Sequence, residues 1–449
     1  EDGFELYDDD DDHRHAKALM PPMALSGDVR ALLSSFDVDP VRGFLPSTDP
    51  LRRLSRPEWE AMAAALPKLL AVGQARRPLE GLPVISVDML TCHRERMRAL
   101  LLLCTFAHAS VWGNPDQPQD TIPKGIAVPL HALASAEDMP PLMTHASLVL
   151  HNWHRLDPRG PLHVENLACN SCFLGGQDET WFYMITVEIE ARGGCVFGAL
   201  LEAQHAIKAL ETAENPTPAD RSPAARVVLT ALGIAQRGIN EMREALSRMS
   251  VGCHPLIFYQ RVRPFLSGWK ANPTLPNGAL YEGVRSRPMQ FYGGSAAQST
   301  LFPALDAAFE VTHSKHASNS FLLEMRSYMP PGSHRRLLEH LTDPACPSIR
   351  RFVETFPATK NGCENNSEEI PVENGSEKNG SKNELRRRQT RQDGNEDRSG
   401  GARRNSEADA LREAYNGCLN ALREFRRTHL GIVSSYILQH QKRSRNVRY

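Results

Sequence analysis

Few residues in this sequence are placed to do chemistry, and the most informative is one histidine. Between Leu411 and Leu438 the residues Leu411, Tyr415, Cys418, Leu422, Phe425, Ile432 and Tyr436 recur at helical spacing, so they share one face of a long helix. His429 falls on that face, between Phe425 and Ile432, while Arg412, Glu413, Asn416, Asn420, Arg423, Arg427 and Ser434 take the polar side. An imidazole desolvated by apolar neighbours, with Arg426 and Arg427 beside it, is biased to its neutral form. Neutral imidazole ligates metals, and haem iron takes one proximal histidine in a pocket between helices. A core histidine hydrogen-bonded to a carbonyl satisfies the same pattern, and this segment alone leaves both readings open.

Other reactive types are sparse. Arg263 stands among aromatic residues, which suits either a surface charge or an anion clamp. Gly293-Gly294-Ser295 forms a turn whose backbone N–H groups can approach a ligand closely. No Gly-Lys-Ser/Thr follows it, so it is not a phosphate loop. A Gly-x-Ser-x-Gly elbow, a His-Glu-x-x-His zinc motif and a nucleotide-binding glycine fingerprint are all missing from the sequence. Cys169-x-x-Cys172 is the only close cysteine pair; with no second pair it reads as two loop cysteines rather than a zinc site.

The elements that must position these residues are mostly helices. The 449 residues are 41% hydrophobic and 23% charged with net charge −1, ordinary for a globular chain and without the basic bias that nucleic acid or an acidic membrane attracts. The longest apolar run, Ala99 to Trp112, is too short to span a bilayer and contains His108. Nine scattered cysteines and no secretory signal point to a reducing, cytoplasmic setting. The first residue is not methionine, so an upstream segment is expected to be missing.

Residues 1–25, with the acidic run Asp8 to Asp12, read as a flexible lead-in. A small domain over 26–125 follows, with a helix from Trp59 interrupted at Pro67 and a buried helix over Met89 to Trp112. Ile122 to Ala134, with two prolines and a glycine, reads as the connection to a larger domain at 126–360 and 410–440. Within it, Glu179 to Leu210 is one helix or two joined at Gly193-Gly194. Ala224 to Met249 is a strong amphipathic helix, and His254 to Trp269 is another helical stretch. Residues 361–409 are rich in Asn, Gly, Ser, Glu and Arg and read as a disordered insertion.

Several stretches carry a resemblance. TIPKGIAVPLHALA, SLVLHNW, WFYMITVEIEA, RVRPFLSGWKANP, FYGGSAAQST, FLLEMRSYMPPGSHR, LREAYNGC and RRTHLGIVSSYI stand in the order found in indoleamine 2,3-dioxygenases, and the sequence resembles that family, in particular its fungal members. The likeness spans about Ile122 to Leu438 and is looser in the N-terminal third. It implies a mainly α fold, in which a small mixed N-terminal domain precedes a large all-helical domain holding haem b. It also implies that the protein is a monomer and uses O₂ and a reductant to cleave the indole C2–C3 bond of L-tryptophan, giving N-formylkynurenine.

Residue by residue, the resemblance makes His429 the proximal haem ligand and Arg263 the clamp for the substrate carboxylate. Phe258, Tyr259, Phe182, Tyr183 and Thr186 line the distal side, with Thr186 standing where the family has a serine. The turn Gly293, Gly294, Ser295 and Ala296 approaches substrate and cofactor, and Arg426 and Asp306 serve a haem propionate. The sequence also departs from the pattern. His145 replaces a distal tyrosine and Leu148 a cysteine, so His145 stands as a second histidine able to reach iron or alter pocket polarity. The match at Thr186 shifts by two residues if Glu188 rather than Glu190 is the equivalent. Beyond Leu438 the tail is short and basic. An oxygen carrier on the same fold is the first alternative, but a carrier needs no carboxylate clamp. A haem-free interaction or signalling protein is the second, but it would not retain His429 and Arg263.

Overall fold

The structure is a computed structural model that describes residues 23–114, 117–215, 218–312, 318–356 and 407–441. Most of the expected lead-in and of the expected insertion at 361–409 lies outside the described residues.

Helices dominate. In chain order they are α1 (Gly27–Ser35), α2 (Pro57–Ala71), α3 (Arg76–Glu80), α4 (His93–Trp112), α5 (Lys124–Ala136), α6 (Gln177–Arg192), α7 (Gly194–Glu211) and α8 (Pro218–Ser247). After these come α9 (Met249–Gly252), α10 (Pro255–Ile257), α11 (Leu301–Ala308), α12 (Ser318–Met325), α13 (His334–Thr342), α14 (Ile349–Thr355) and α15 (Glu407–Val433). Strands are short: β1 (Thr121–Ile122) runs parallel to β4 (Leu280–Tyr281), and β2 (Trp153–Arg155) antiparallel to β3 (Leu167–Cys169). The mainly α class expected from the sequence is the class observed.

The bundle forms around α8, against which α6, α7 and α15 all pack. Where α15 crosses α8, a Cβ on Gly417 would lie 2.8 Å from the Gln236 amide, so the helices meet as closely as a glycine allows. The α6–α7 stretch is two helices, broken at Gly193-Gly194. A Cβ on Gly194 would fall 2.2 Å from the Val41 carbonyl oxygen; the break admits the 41–43 turn.

Three expectations are corrected. Pro67 does not stop α2, because Trp59, Met62, Leu66 and Leu70 form a buried stripe that holds the helix across the lost hydrogen bond. Ile122 to Ala134 is not a loose connection: β1 leads straight into α5, which runs through Pro129. His254 to Trp269 is not one α-helix. It is α10, then a π-helical turn over Phe258–Val262, then a 3₁₀ turn over Arg263–Leu266, with Pro264 unable to continue the α ladder.

Candidate active site

The site is built from α6, the 258–266 turns, the glycine turn with α11, and the C-terminal end of α15. Alpha6 is fixed first. The Glu179 carboxylate accepts the backbone N–H groups of Phe173, Leu174 and Gly175 at 2.6, 2.8 and 3.0 Å, which pins the loop leading into the helix. The Trp181 indole N–H donates to the Arg248 carbonyl at 3.0 Å. Further on, the buried Glu188 carboxylate accepts the Val164 N–H at 2.8 Å and pairs with Arg192. So held, α6 presents Phe182, Thr186 and Glu190 along one face, at successive one-turn steps.

Contacts close a ring around that face. Phe182 packs on Phe258 with ring centroids 4.5 Å apart, and Phe258 meets Tyr436 edge-on at 5.7 Å. The Tyr436 hydroxyl donates to the Cys253 carbonyl at 2.5 Å, which ties the turn after α15 to the segment just before the 258–266 turns. From the other end of α6, Glu190 accepts the Ser299 hydroxyl at 2.6 Å, and the His145 Nε2 lies 2.9 Å from the same carboxylate oxygen. Ser299 leads into α11, where Phe302 stacks on Phe425 at 4.3 Å and Asp306 pairs with Arg426. Both partners are on α15, and the ring is complete. Thr186 stands midway along the α6 wall, and His429 midway along the α15 wall between Phe425 and Tyr436.

His429 is exposed at its edge, where Phe425 and Tyr436 are buried, and it is followed by exposed Leu430. It makes no hydrogen bond, ion pair or ring contact among the described residues. Burial of its remaining sides holds its pKa below the usual histidine range, so the ring is neutral at pH 7. The apolar face read from the sequence is therefore real, and it is uncovered where the histidine sits.

Arg263 begins the 3₁₀ turn with its guanidinium 5.2 Å from the Tyr259 ring centroid, and no carboxylate among the described residues pairs with it. Tyr259 in turn packs against His440 at 5.4 Å. The turn is locked to the glycine turn backbone to backbone: Trp269 and Lys270 N–H groups donate to the Phe291 carbonyl at 2.9 and 2.8 Å. A Cβ on Gly293 would lie 2.0 Å from the Leu266 oxygen. Ser295 caps a 3₁₀ turn over Ala296–Gln298, and the Gln298 amide donates to the Gly293 carbonyl at 2.9 Å. Gln298 also accepts the His145 backbone N–H at 2.9 Å.

The structure thus gathers His429, Phe182, Thr186 and Phe258 around one ring, with Arg426 paired to Asp306 in its wall and Arg263 joined to the glycine turn beside it. Two residues behave differently from expectation. Tyr183 is buried and turns away from the ring, its hydroxyl 3.3 Å from Glu179. His145 is not an open imidazole: it is 4% exposed and engaged by Glu190, so it is a structural group of the wall. The Thr186 hydroxyl donates to its own helix at the Phe182 carbonyl, 3.0 Å away, and has only its lone pairs to offer. Sequence reasoning missed Glu190 and Gln298. Ser295-x-x-Gln298 is a capping-box signature and was readable; nothing in the sequence marks Glu190 as the partner of His145.

The residues present fit a haem. Among the described residues no three His, Cys, Asp or Glu side chains are grouped to hold a bare metal ion. A porphyrin supplies four nitrogens of its own and asks the protein for one axial imidazole and apolar walls. His429, partnerless and neutral between Phe425 and Ile432, meets that requirement.

Comparison with known proteins agrees. The family model for indoleamine 2,3-dioxygenase matches residues 32–369 and 388–449. The chain is 32% identical to indoleamine 2,3-dioxygenase 1 of Rattus norvegicus over 420 residues, 92% of this chain and 86% of that protein. It is 32% identical to indoleamine 2,3-dioxygenase 2 of Homo sapiens over 410 residues, 90% and 84% of the two chains. The Saccharomyces cerevisiae indoleamine 2,3-dioxygenase is 32% identical over 428 residues, 91% and 80%. The matched family is one of haem-dependent oxidoreductases, and the chain is an enzyme of that class. More narrowly, the chain belongs to the indoleamine 2,3-dioxygenase family, whose members are tryptophan dioxygenases.

Proposed function

We propose that this protein cleaves the indole C2–C3 bond of L-tryptophan with O₂, inserting both oxygen atoms to give N-formylkynurenine, the opening step of tryptophan breakdown toward kynurenine and NAD. The observation that carries this reading is the closed ring of contacts that sets His429 on one wall and Phe182, Thr186 and Phe258 on the other. Haem b, when bound, supplies the ferrous centre at which O₂ is activated, with a reductant keeping the iron ferrous.

The remaining work belongs to the chain. His429 would hold the haem iron through a lone pair of its imidazole. Phe182 and Phe258 form an apolar wall that packs the indole and excludes water, which strengthens electrostatic interactions inside. Arg263, stacked on Tyr259 and free of a carboxylate partner, pairs with the substrate carboxylate in fork geometry and so fixes where the ring lies. Thr186, its proton committed to Phe182, accepts a hydrogen bond, for which the indole N–H is a fitting donor. Gly294 and Ser295 leave backbone at the wall with little side chain in the way. Arg426, oriented by its pairing with Asp306, would hold a haem propionate. No side-chain base is required among these roles. The enzyme is proposed to act as a cytoplasmic monomer; among the described residues no helix is long and apolar enough to cross a membrane.

The test is direct. Protein purified with haem, under ascorbate and with L-tryptophan and O₂, should build up the absorbance of N-formylkynurenine. Stable binding of O₂ without that product makes the protein an oxygen carrier, and a preparation that takes up no haem removes the reading altogether.

A further inference from the structure

His108 is wholly buried near the end of α4, far in sequence from every residue assigned above. Its ring nevertheless bridges two of the segments that build the site. Nδ1 lies 2.7 Å from the Phe265 carbonyl oxygen, and Nε2 lies 3.0 Å from the Met143 backbone nitrogen. The backbone N–H of Met143 can only donate, so Nε2 is the acceptor and Nδ1 carries the proton. Burial, opposed only by the bond to Phe265, pushes the pKa down to about 4, which keeps this one tautomer at neutral pH. One turn further on, the Trp112 indole N–H donates to the Ser267 carbonyl at 2.7 Å. The Trp269 ring packs against His108 at 5.0 Å, and Phe265 stacks on Phe173 at 4.6 Å.

These bonds fall on the turn that carries Arg263. A 3₁₀ turn has poorer hydrogen-bond geometry than an α-helix, and Pro264 removes one donor from this one. The hydrogen bonds that lock it to the glycine turn fall beyond its end, at Trp269 and Lys270. Two donors from a rigid buried helix, one to Phe265 and one to Ser267, supply what the turn lacks.

We infer that His108 and Trp112 are positioning residues for the substrate-carboxylate clamp: they hold the turn at Phe265 and Ser267 so that Arg263 meets the carboxylate at a fixed place. This rests on the reading of Arg263 as that clamp. The bridge to Met143 adds a second consequence. The same imidazole sets the spacing between the Arg263 turn and the segment leading to His145, so the mouth and the wall of the cleft are registered on one buried side chain.

The experiment compares equilibrium binding of L-tryptophan and of tryptamine, the same indole without a carboxylate, by calorimetry on the haem-loaded protein. The unmodified protein should favour tryptophan. His108→Leu and Trp112→Phe should each cut that preference about tenfold by letting the guanidinium drift, with the haem absorption bands unchanged and tryptamine affinity nearly so. His108→Asn, which restores a donor near the Nδ1 position, should recover part of the loss. Arg263→Ala is the control that separates the two claims. If it collapses the preference while His108→Leu and Trp112→Phe leave it within about twofold, the positioning role is refuted and the clamp stands. If Arg263→Ala leaves the preference intact, the clamp reading fails and the positioning role with it. Equal weakening of both ligands in the His108 and Trp112 variants would show a merely structural role and also refutes the inference. Should His108→Leu not fold, Trp112→Phe, which removes the donor and keeps an aromatic ring, decides alone.

Discussion

At the scale of single residues the site rests on two groups, unpartnered among the described residues, with opposite needs. His429 wants to stay neutral and has an apolar flank that keeps it so; Arg263 cannot become neutral and has an aromatic face and a missing counter-charge. His429→Ala should therefore give folded protein with little haem and no activity, because the imidazole takes no part in holding the bundle together. Free imidazole added to that variant should restore part of the haem absorption, the ligand-shaped gap accepting the small molecule. His145→Ala should keep its haem, since that ring is committed to Glu190 at 2.9 Å. The opposite pattern, haem lost from the His145 variant and kept in the His429 variant, would exchange the two assignments. Removing His145 should nonetheless lower stability by about 1–3 kcal/mol, read from the denaturant midpoint, because it leaves the buried Glu190 carboxylate with the Ser299 hydroxyl in place of two partners.

At the scale of elements, three π-helical turns mark the site: Ala146–Leu150 next to His145, Phe258–Val262 next to Arg263, and Ser434–Leu438 beyond His429. Such turns insert a residue into the helical ladder and shift the side chains that follow, and they concentrate at functional places. None was legible in the sequence, because no residue type favours them; tertiary packing imposes them. The long helices were legible. The apolar period from Leu411 to Tyr436 marks α15, and Gly193-Gly194 marks the α6–α7 break. Proline misled at Pro67 and Pro129, where a buried stripe outweighs one lost hydrogen bond. The ring contacts were unreadable for a different reason: Glu190 with His145, and Arg426 with Asp306, join positions far apart in sequence that share no local signal. The glycine turn gives a prediction at this scale. Gly293→Ala places a Cβ 2.0 Å from the Leu266 oxygen and 2.4 Å from the Gly268 nitrogen. Neither neighbour is a flexible side chain, so the segments must separate. A loss of about 1–3 kcal/mol in denaturant midpoint is expected, with weaker tryptophan binding. Unchanged values on both counts would mean the two backbones are not locked as described.

At the scale of the whole molecule, buried neutral histidines make stability depend on pH. His108 is held to about 4, by burial first, and His334 to about 3, by burial and then by the charge of His145, against 6.5 for an ordinary histidine. Below pH 6.5 the unfolded chain takes up protons that the folded chain refuses. Their contribution is therefore complete above that pH and is lost as pH falls toward 4, by at most about 1.4 kcal/mol per pH unit for each histidine. The urea midpoint should be lower at pH 5 than at pH 7.5, and replacing His334 with a neutral glutamine should reduce the difference, with His108 keeping the rest; a flat profile in the unmodified protein would contradict the assignment. The family match gives a further expectation. It covers residues 32–369 and 388–449 and skips those between. Deleting 370–387 should leave haem content and tryptophan turnover near those of the full chain, and a deletion variant without haem would show that the segment serves the site.

The ring of contacts also sets an order of events in time. The Tyr436 link to Cys253 spans 183 positions, and the Arg426 link to Asp306 spans 120. Closing such long loops is slow compared with forming the helices they join. During synthesis the wall bearing His429 is the last of the four to leave the ribosome, after α6 has had time to fold against α8 and the clamp turn against α4. A nascent chain arrested before α15 should thus hold native-like helices yet capture no haem, and cofactor uptake should coincide with the docking of that final helix.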